Sequence, residues 1–418
     1  MLDRTERQKE AIQKWINNRC VGTFSFCTGF GKSYTTIMAI QRFFDKNPTK
    51  RVLIIVPTEV LQRQWITNLA KEGLIFNIDV LIINTAVKQK RIYDLMVVDE
   101  IHKSAANTLV EIFEKCSAPM ILGLTATFER LDGRHEIISK YCPVIDTITV
   151  KEATLNGWLS EYKEYKVMIE VDDIDTYYDL NQQFLNHFAF FNFNFELAMS
   201  AVTDYNIRNR YAEQLVGTND SQLLANTRKE VAAHAFSWQR ALKGRKDFVM
   251  NHPKKIEIAE LILSYRPEAK AITFNSSIAQ AEKFKNGFVV HSGNTKKKNR
   301  ISLEEFSNVD VGIVHSSKML TEGLDVKGLN LAIILHNTSS PTERIQKIGR
   351  VIRKEGNKQA EVFSLVIKGT MEQQWFSKSS KGLASIEINE EELISVLKGE
   401  NLNKQEKVQE STGFLFTF

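Results

Sequence analysis

The stretch whose residue types point most directly to chemistry is a glycine-rich loop between an apolar run and an amphipathic pattern. Residues 27–33 read Cys-Thr-Gly-Phe-Gly-Lys-Ser, after the apolar run 21–26 and before apolar positions at helical spacing. Glycines let several backbone N–H groups face one anion, and the N-terminus of the next helix adds partial positive charge. Lys32 and Ser33 stand where a lysine reaches phosphates and a hydroxyl binds Mg²⁺. The loop therefore predicts a nucleoside triphosphate site.

The loop departs from the strict G-x-x-x-x-G-K-[ST] pattern at one position. Phe26 stands where the first glycine of that pattern belongs. By itself, the stretch also fits a second interpretation, a tight glycine turn that precedes a helix and binds nothing. Residues elsewhere in the chain decide between the two.

Polar or reactive residues recur where apolar strand-like runs end. Runs at 52–56, 80–83, 95–98 and 121–124 are followed by Thr58, by Asn84-Thr85, by Asp99-Glu100-Ile101-His102 and by Thr125-Ala126-Thr127. Continuous β-branched runs are typical of parallel strands buried on both faces. Open α/β sheets bind their ligands at the carboxyl ends of such strands. The pattern therefore predicts a first α/β domain with its site at that edge.

A second series of strand-like runs predicts a second parallel α/β domain. The runs lie at 271–274, 288–290, 311–314, 332–335 and 362–366, and residues 164–171 are expected to add one more strand. Between the series lies a helical pattern with apolar residues at steps of three and four: Phe184, Phe188, Phe191, Phe195, Met199 and Val202. This stripe predicts a buried helical seam, with base stacking as the alternative.

The expected division of the chain has five parts. They are a first lobe (1–150), a connector with a possible first strand of the second lobe (151–172), a helical insertion (173–250), a second lobe (251–385), and a C-terminal helix and tail (386–418). In the last part we expect a helix at 390–398, disorder at 401–411, and an apolar tail at 414–418. The tail is expected to fold back onto the body or to dock a protein partner.

Composition narrows the class of protein. With 43% apolar and 25% charged residues, the 418-residue chain has the make-up of a soluble globular protein. It has no apolar run long enough to span a membrane, so an intracellular, cytoplasmic protein is expected. Four dispersed cysteines without a C-x-x-C pair suit neither a disulfide framework nor a zinc site. A net charge of +5 permits a polyanionic partner without requiring one.

The order of these motifs resembles the superfamily 2 helicases. The matching segments are 28–33 (motif I), 56–58 with 64–65 (Ia), 84–85 (Ib), 99–102 (II), 124–127 (III), 273–275 (IV), 321–326 (V) and 346–353 (VI). The Asp-Glu-Ile-His box, the P-T-x-x-L-x-x-Q-W arrangement and the stretch Gly157-Trp158-Leu159 look closest to the XPB-like and phage UvsW-like branch. The motif I of this family is T-G-x-G-K-[ST], so Phe26 agrees with it.

The resemblance implies two RecA-like P-loop lobes with parallel sheets, an ATP and Mg²⁺ requirement, and roles for named residues. Catalytic roles fall to Lys32, Asp99, Glu100, Gln346, Arg350 and Arg353, and ATP binding to Gln8, Thr28, Gly29, Gly31, Lys32, Ser33, Gly323 and Asp325. Ser33 and Asp99 would bind Mg²⁺. The residues that would bind nucleic acid are Thr58, Thr85, Asn275 and Thr321. The residues that would couple the two sites are His102, Thr125 and Thr127. Lys347 replaces the arginine common in motif VI.

The function implied is that of a monomeric, ATP-dependent DNA helicase or translocase acting on forked or branched DNA. The alternatives are a DExH RNA helicase, a non-hydrolysing nucleic-acid-binding protein with the same fold, and a restriction-type translocase subunit lacking a nuclease. Gln8 matches the glutamine that contacts adenine in many members of the family. Glutamines are also common on exposed helix faces, where they make no such contact, so both interpretations stay open. Two basic clusters could attract nucleic acid or form solvated surface: residues 296–300, and Arg240, Lys243, Arg245, Lys246, Lys254 and Lys255.

Overall fold

The structure is a computed structural model that describes residues 3–88, 90–103, 106–116, 118–126, 135–218, 220–317, 326–353, 359–402, 404 and 407–408. Its strands are β1 (Val21–Phe26), β2 (Val52–Val56), β3 (Ile78–Ile82), β4 (Leu95–Val98), β5 (Met120–Thr125), β6 (Val144–Ile148), β7 (Tyr162–Ile169), β8 (Lys270–Asn275), β9 (Phe288–Val290), β10 (Gly312–Ser317), β11 (Leu331–Ile334), β12 (Ala360–Ile367), β13 (Ala384–Ile388) and β14 (Lys407–Val408).

The helices of the described part flank these strands. They are α1 (Arg4–Asn17), α2 (Lys32–Lys46), α3 (Glu59–Lys71), α4 (Ile83–Ala86), α5 (Ala106–Lys115), α6 (His135–Tyr141), α7 (Val150–Leu155), α8 (Ile174–Ala189), α9 (Phe195–Thr203), α10 (Tyr205–Val216), α11 (Ser221–Asn251), α12 (Pro253–Ser264), α13 (Ile278–Ala281), α14 (Lys296–Asn308), α15 (Pro341–Ile348), α16 (Met371–Ser379) and α17 (Glu390–Leu397).

The first lobe is built on a six-stranded sheet in the order β3-β2-β4-β5-β1-β6, and its strand pairs are parallel. Every residue of β2 and β4 is buried, as expected for strands covered on both faces by helices. Because the strands run the same way, their carboxyl ends meet at one edge. The loop after β1, the acidic pair after β4 and Thr125 at the end of β5 therefore share that edge.

The second lobe is built on an eight-stranded sheet in the order β14-β13-β7-β12-β11-β8-β10-β9. All its pairs are parallel except β13 with β14. The predicted extra strand is β7, which lies inside the sheet between β13 and β12. Two parallel α/β lobes and a helical insertion, the fold class predicted from the sequence, are confirmed.

Some element bounds differ from the sequence-based expectation. The third strand ends at Ile82, and Ile83 opens α4, because an apolar run cannot by itself mark where a strand gives way to a helix. β13 crosses the expected boundary at residue 385, and α17 packs its Leu393 and Leu397 into the core beside the second sheet. Lys407 and Val408, expected to be disordered, pair with the edge strand β13, which offers unpaired backbone groups.

The insertion comprises α8 to α11, but its aromatic stripe is not one helix. α8 ends at Ala189, and α9 begins at Phe195 after a turn in which Asn192 and Phe193 have positive φ. The Asn194 side chain caps α9 by accepting from the Leu197 N–H, a signal that periodicity alone does not register. Phe184, Phe188 and Phe191 are buried beside Trp238 of α11, as the predicted seam requires, whereas Phe195 is 40% exposed.

Two members of the expected basic cluster are internal. Arg245 donates to Asn181 at 2.8 Å, and its guanidinium lies 3.6 Å over the Phe184 ring. Lys255 is fully buried, and its ammonium lies 2.6 Å from the Glu372 carboxylate. The carboxylate supplies the partner that a buried charge needs. Neither residue is available to nucleic acid. The exposed members on α11 are Arg240, Lys243 and Lys246.

Other predictions meet the structure at single positions. None of the helices described is both long and apolar enough to cross a membrane. The four cysteines are free thiols, and three of them are buried. The apolar tail at 414–418 lies outside the described residues.

Candidate active site

The glycine loop connects β1 to α2 with two residues in the left-handed region. Gly29 has φ 91° and Gly31 has φ 104°, a conformation that side chains other than glycine rarely adopt. A Cβ at Gly31 would also lie 2.8 Å from Nε2 of Gln8, and one at Gly29 would lie 3.0 Å from Leu159. Conformation and space both require glycine, so the backbone N–H groups at the start of α2 can approach an anion closely.

Phe26, which occupies the position of the missing glycine, belongs to the core. Its ring is fully buried, stacks on Phe24 at 4.9 Å and meets Phe30 edge-on at 5.3 Å. Its carbonyl oxygen accepts from Nζ of Lys32 at 3.1 Å. The departure therefore anchors the loop to the sheet and leaves Lys32 at the start of α2.

α1 holds the loop from behind through residues one helical turn apart. Arg4 donates from Nε to the Phe30 carbonyl at 2.8 Å and from Nη2 to the Gly29 carbonyl at 2.7 Å. Gln8 donates to the Phe30 carbonyl at 3.2 Å and is 2% exposed, so it is not a solvated helix glutamine. Sequence reasoning did not single out Arg4. Its spacing of four from Gln8, on one helix face, is the signal that was available.

The acidic pair follows β4 directly. Asp99 is buried, and its carboxylate accepts from the Trp65 indole N–H at 2.8 Å and from the Glu100 backbone N–H at 2.9 Å. Burial, together with repulsion from Glu100, raises the pKa of Asp99 to about 6. Glu100 has φ 48°, a strained conformation for a residue with a side chain, of the kind that clusters at functional sites.

Two predicted coupling residues are in contact. Nδ1 of His102 lies 2.8 Å from Oγ1 of Thr125, which joins the end of β4 to the end of β5. The same nitrogen lies 3.4 Å from Oε2 of Glu100. His102 therefore stands between the acidic pair and the neighbouring strand. Thr127, the third coupling residue predicted, lies outside the described part of the chain.

The arginines of the second lobe follow α15 and face the loop. Gln346 and Arg350 are 4% and 8% exposed, and Arg353 pairs with Leu159 in an isolated antiparallel bridge. A Cβ at Gly349 would lie 2.4 Å from Cβ of Thr28, so the turn that carries the arginines packs against the loop. The lobes therefore meet at this point.

A cleft of about 420 Å³ collects residues from both lobes. It is lined by Arg4, Thr28, Gly29, Gly31, Lys32, Ser33, Tyr34, Leu61, Gln64, Asn68, Asp99, Glu100, Lys327, Arg350 and Arg353. Gln8 and Gln346 do not line it. Gly323 and Asp325 lie outside the described residues. Tyr34 and Lys327 line the cleft without having been predicted.

Lys347 has a structural setting that explains its departure from the family pattern. Its Nζ is buried, donates to the His336 carbonyl at 3.1 Å and lies 2.8 Å from the Glu343 carboxylate. The lysine thus ties α15 to the end of β11. It does not line the cleft.

The residues predicted to bind nucleic acid differ in access. Thr58 and Thr85 are half-buried after the neighbouring strands β2 and β3, and the hydroxyl of Thr58 caps α3. Asn275 is fully buried and donates to Oγ1 of Thr273 at 2.8 Å. The structure therefore gives Asn275 no surface for such a contact. Thr321 lies outside the described residues.

The basic run at 296–300 forms the first turns of α14. Lys296 reaches across the lobes to pair with Glu59 at 2.7 Å, and both side chains are largely exposed. Asn299 is buried and bonds the His291 carbonyl. The run is therefore in part a lobe-to-lobe contact, worth little by itself because exposed ion pairs are weak.

Two family profiles match the chain, one in each lobe. The family described as Type III restriction enzyme, res subunit, matches residues 2–74 and 74–130, and the Helicase conserved C-terminal domain family matches residues 254–355. The two together span more than half of the chain. The second match ends just beyond the two arginines that face the glycine loop.

Individual relatives agree with these profiles. The DNA 3'-5' translocase XPB2 of Sulfurisphaera tokodaii is 24% identical over 391 residues, which are 88% of this chain and 82% of that protein. The Type I restriction enzyme EcoAI endonuclease subunit of Escherichia coli is 24% identical over 396 residues, and the chain spans 44% of its length.

Among solved structures, Saccharomyces cerevisiae Dbp5 bound to RNA and ADP BeF3 has the same fold. It superposes with a TM-score of 0.59 at 11% identity, covering 94% of this chain and 91% of Dbp5. Together with the motif series in the order of the family, the profiles and relatives lead to one conclusion: the chain belongs to superfamily 2 of the helicases and translocases, nucleotide-using enzymes that act on nucleic acids.

Proposed function

We propose that the chain hydrolyses ATP with Mg²⁺ in the cleft between its lobes and uses lobe closure to move along or remodel DNA. One observation carries the proposal: Lys32, Asp99 and Glu100 from the first lobe line the same cleft as Arg350 and Arg353 from the second. Phosphoryl transfer needs positioning and charge stabilisation more than covalent chemistry from the protein. A site shared by two lobes makes both depend on closure.

The lining residues divide the work by chemical type. Lys32 and the loop formed by residues 28–31 would hold the β- and γ-phosphates. Glu100 would orient and deprotonate the attacking water, and Arg350 and Arg353 would stabilise negative charge developing on the γ-phosphate. The motif V residues Gly323 and Asp325 are proposed to contribute to ATP binding. Gln346, which does not line the cleft, is proposed to assist catalysis together with the arginines.

The oxygen donors in the cleft fit Mg²⁺. The carboxylate of Asp99 and the hydroxyl of Ser33 both line it, and Mg²⁺ prefers oxygen ligands with few contributed by the protein. When bound, the ion would neutralise phosphate charge. The Trp65 N–H fixes one carboxylate oxygen of Asp99, so the orientation of this ligand is set by the chain itself.

Arg4 and Gln8 are proposed to shape the part of the site that holds the base of the nucleotide. Arg4 lines the cleft and holds two loop carbonyls, while Gln8 stays a candidate for the adenine contact through its position against Gly31. An amide can pair with both a donor and an acceptor on a base edge. ATP preference is thus part of the proposal.

Replacing Trp65 by phenylalanine should lower kcat for ATP hydrolysis about tenfold, because a metal ligand that loses its supporting hydrogen bond typically costs 10- to 100-fold. Steady-state ATPase assays measure this. The matched control is Trp15→Phe, since Trp15 is equally buried and its N–H donates to the Ile121 carbonyl at 3.0 Å, away from the cleft. Equal rates in the two variants would contradict a role for Trp65 in holding Asp99.

DNA is proposed as the preferred polymer. One relative aligned over most of the chain is named a DNA translocase, and Thr58 and Thr85 present hydroxyls at the strand ends, where phosphates can be bound without reading sequence. The same groups would serve an RNA helicase. Strand displacement on matched forked DNA and RNA substrates with ATP separates the two, and we expect displacement or remodelling of the DNA fork only.

We propose the five-part division as functional units, with the second lobe extended through α17. The insertion would grip the duplex through an aromatic and basic patch on α10 and α11, formed by exposed Tyr205, Phe236, Arg240 and Lys243 around the half-buried Arg208. The Arg208 guanidinium lies 5.4 Å over Phe236 and 5.8 Å over Tyr205, whose side chains are 46% and 62% exposed. Cations beside aromatic faces suit nucleic-acid backbones and bases.

Changing Arg240 and Lys243 together to alanine should weaken fork binding and reduce the salt slope, log K against log salt, by about 2, since each lost phosphate contact removes about 0.9. Basal ATPase should not change. Fluorescence anisotropy across a salt series measures the slope. The control changes two exposed lysines outside the insertion, Lys381 and Lys398, to alanine. Equal slopes in both double variants would exclude the patch.

A further inference from the structure

A short segment, residues 157–160, joins the first lobe to β7. Gly157 has φ 65°, which turns the chain sharply after α7. The N–H groups of Trp158 and Leu159 then donate to the Ala153 carbonyl at 2.8 and 3.2 Å. The segment is therefore tied by its backbone to the first lobe before it enters the sheet of the second.

One side of this segment forms the back wall of the glycine loop. Trp158 is 5% exposed, and its ring meets Phe30 edge-on at a centroid distance of 5.2 Å. Leu159 is 2% exposed and sits so close that a Cβ at Gly29 would lie 3.0 Å from its Cδ2. A shift of the loop would therefore displace the segment directly, because closely packed side chains leave no free space between them.

The other side binds the backbone that carries the second arginine. Leu159 forms the antiparallel bridge to Arg353. The Ser160 N–H donates to the Ile352 carbonyl at 2.8 Å, and its hydroxyl donates to the Arg353 carbonyl at 3.1 Å. Ser160 is 8% exposed and does not line the cleft, so its hydroxyl acts on the arginine segment and not on a ligand.

We infer that residues 158–160 set the position of Arg353 relative to the glycine loop, with Ser160 as a positioning residue. The inference rests on the proposed function, since it concerns the arginine assigned to the transition state there. Packing on one side and backbone hydrogen bonds on the other join the two halves of the site through this one short segment. The arginine side chain is thereby aimed into the cleft from a fixed backbone.

The test removes the hydroxyl alone and compares it with an equivalent loss elsewhere. Ser160→Ala should lower kcat of DNA-stimulated ATP hydrolysis about tenfold with KM for ATP within about twofold, because a small misplacement of a catalytic group costs up to 10²-fold. Ser160→Thr, which keeps the hydroxyl, should restore the rate. The control is Ser380→Ala, since Ser380 is fully buried and donates to the Phe376 carbonyl at 2.6 Å, outside the cleft.

A double-mutant cycle separates positioning from general destabilisation. In the Arg353→Ala background, Ser160→Ala should have no further effect on kcat, because residues that act as one unit are not additive. Two results would overturn the inference. One is a double variant whose loss in kcat is the product of the two single losses, and the other is a Ser160→Ala rate equal to that of Ser380→Ala. Should Ser160→Ala not fold, Ser160→Cys, of similar volume but a weaker donor, gives the same comparison.

The outcomes also distinguish this inference from the function on which it rests. Wild-type protein that hydrolyses no ATP with any nucleic acid, or Arg353→Ala protein as active as wild type, would contradict the proposed function and this inference with it. Active wild type, slow Arg353→Ala and an unaffected Ser160→Ala would contradict this inference alone.

Discussion

Replacing Glu100 by glutamine should lower the rate of ATP hydrolysis about 10²- to 10⁴-fold, the contribution typical of a general base. Nucleotide binding should survive within a few-fold, since the amide keeps the shape of the side chain and Asp99 is untouched. Glu100 follows a fully buried strand and lines the cleft beside Asp99 and Lys32. Single-turnover hydrolysis and equilibrium binding of a fluorescent ATP analogue give the two numbers.

The control for this change is Glu111→Gln, which makes the same chemical replacement on the exposed face of α5. It should leave the rate unchanged. If Glu100→Gln hydrolysed ATP at the wild-type rate, the acidic pair would not be the catalytic pair. If wild type itself showed no turnover while Glu100→Gln bound nucleic acid unchanged, the alternative of a non-hydrolysing binding protein would prevail.

Alanine at Arg350 or Arg353 should slow the nucleic-acid-stimulated reaction by about 10³-fold or more, the range found for arginines supplied across a cleft to a transferring phosphate. Arg350 is mostly buried at the cleft, and Arg353 is held by the bridge to Leu159. Lysine at either position should recover little, because an ammonium cannot reproduce the two-pronged contact of a guanidinium. Stimulated steady-state ATPase measures the loss.

Arg266→Ala is the matched control in the second lobe. Arg266 pairs with the Glu361 carboxylate at 2.7 Å at the start of β12, away from the cleft. Its loss should lower the melting temperature without changing kcat. A similar drop in kcat for Arg266, Arg350 and Arg353 would mean that the arginines act through stability and not on the reaction.

Local pattern was sufficient to predict much of this molecule. Buried strands such as β2 and β4 are continuous β-branched or aliphatic runs, and ligand-binding residues follow them because parallel strands end at one edge. The glycine loop could be assigned to nucleotide binding only together with the other motifs, since Phe26 stands where the strict pattern has a glycine. The structure explains that residue by packing: it is an aromatic core position.

Contacts between distant residues could not be predicted in this way. The Trp65 N–H meets a carboxylate 34 positions later, and Arg4 holds carbonyls about 25 positions along the chain. Neither pairing has a spacing rule, because it depends on how whole elements pack. The motif series contains Trp65 but implies no role for it, and Arg4 belongs to no motif.

Burial of polar residues was the other weak point. Arg245 and Lys255 look like surface charges in a basic run, yet each finds a partner from another element. Asn275 matches a nucleic-acid-binding motif, but its buried side chain donates to Thr273 and to the Ser316 carbonyl of the neighbouring strand β10. A charge or amide is placed by its tertiary partners, which the one-dimensional pattern does not contain.

The central claim is that the two lobes form one ATPase site that responds to DNA. Its most direct test is steady-state ATP hydrolysis by the full chain, without nucleic acid and with saturating single-stranded DNA, forked DNA or RNA of matched sequence. We expect low basal turnover and strong stimulation by DNA, greatest with the fork and lost in Arg353→Ala. Equal turnover with and without every nucleic acid, or stimulation by RNA alone, would contradict the account.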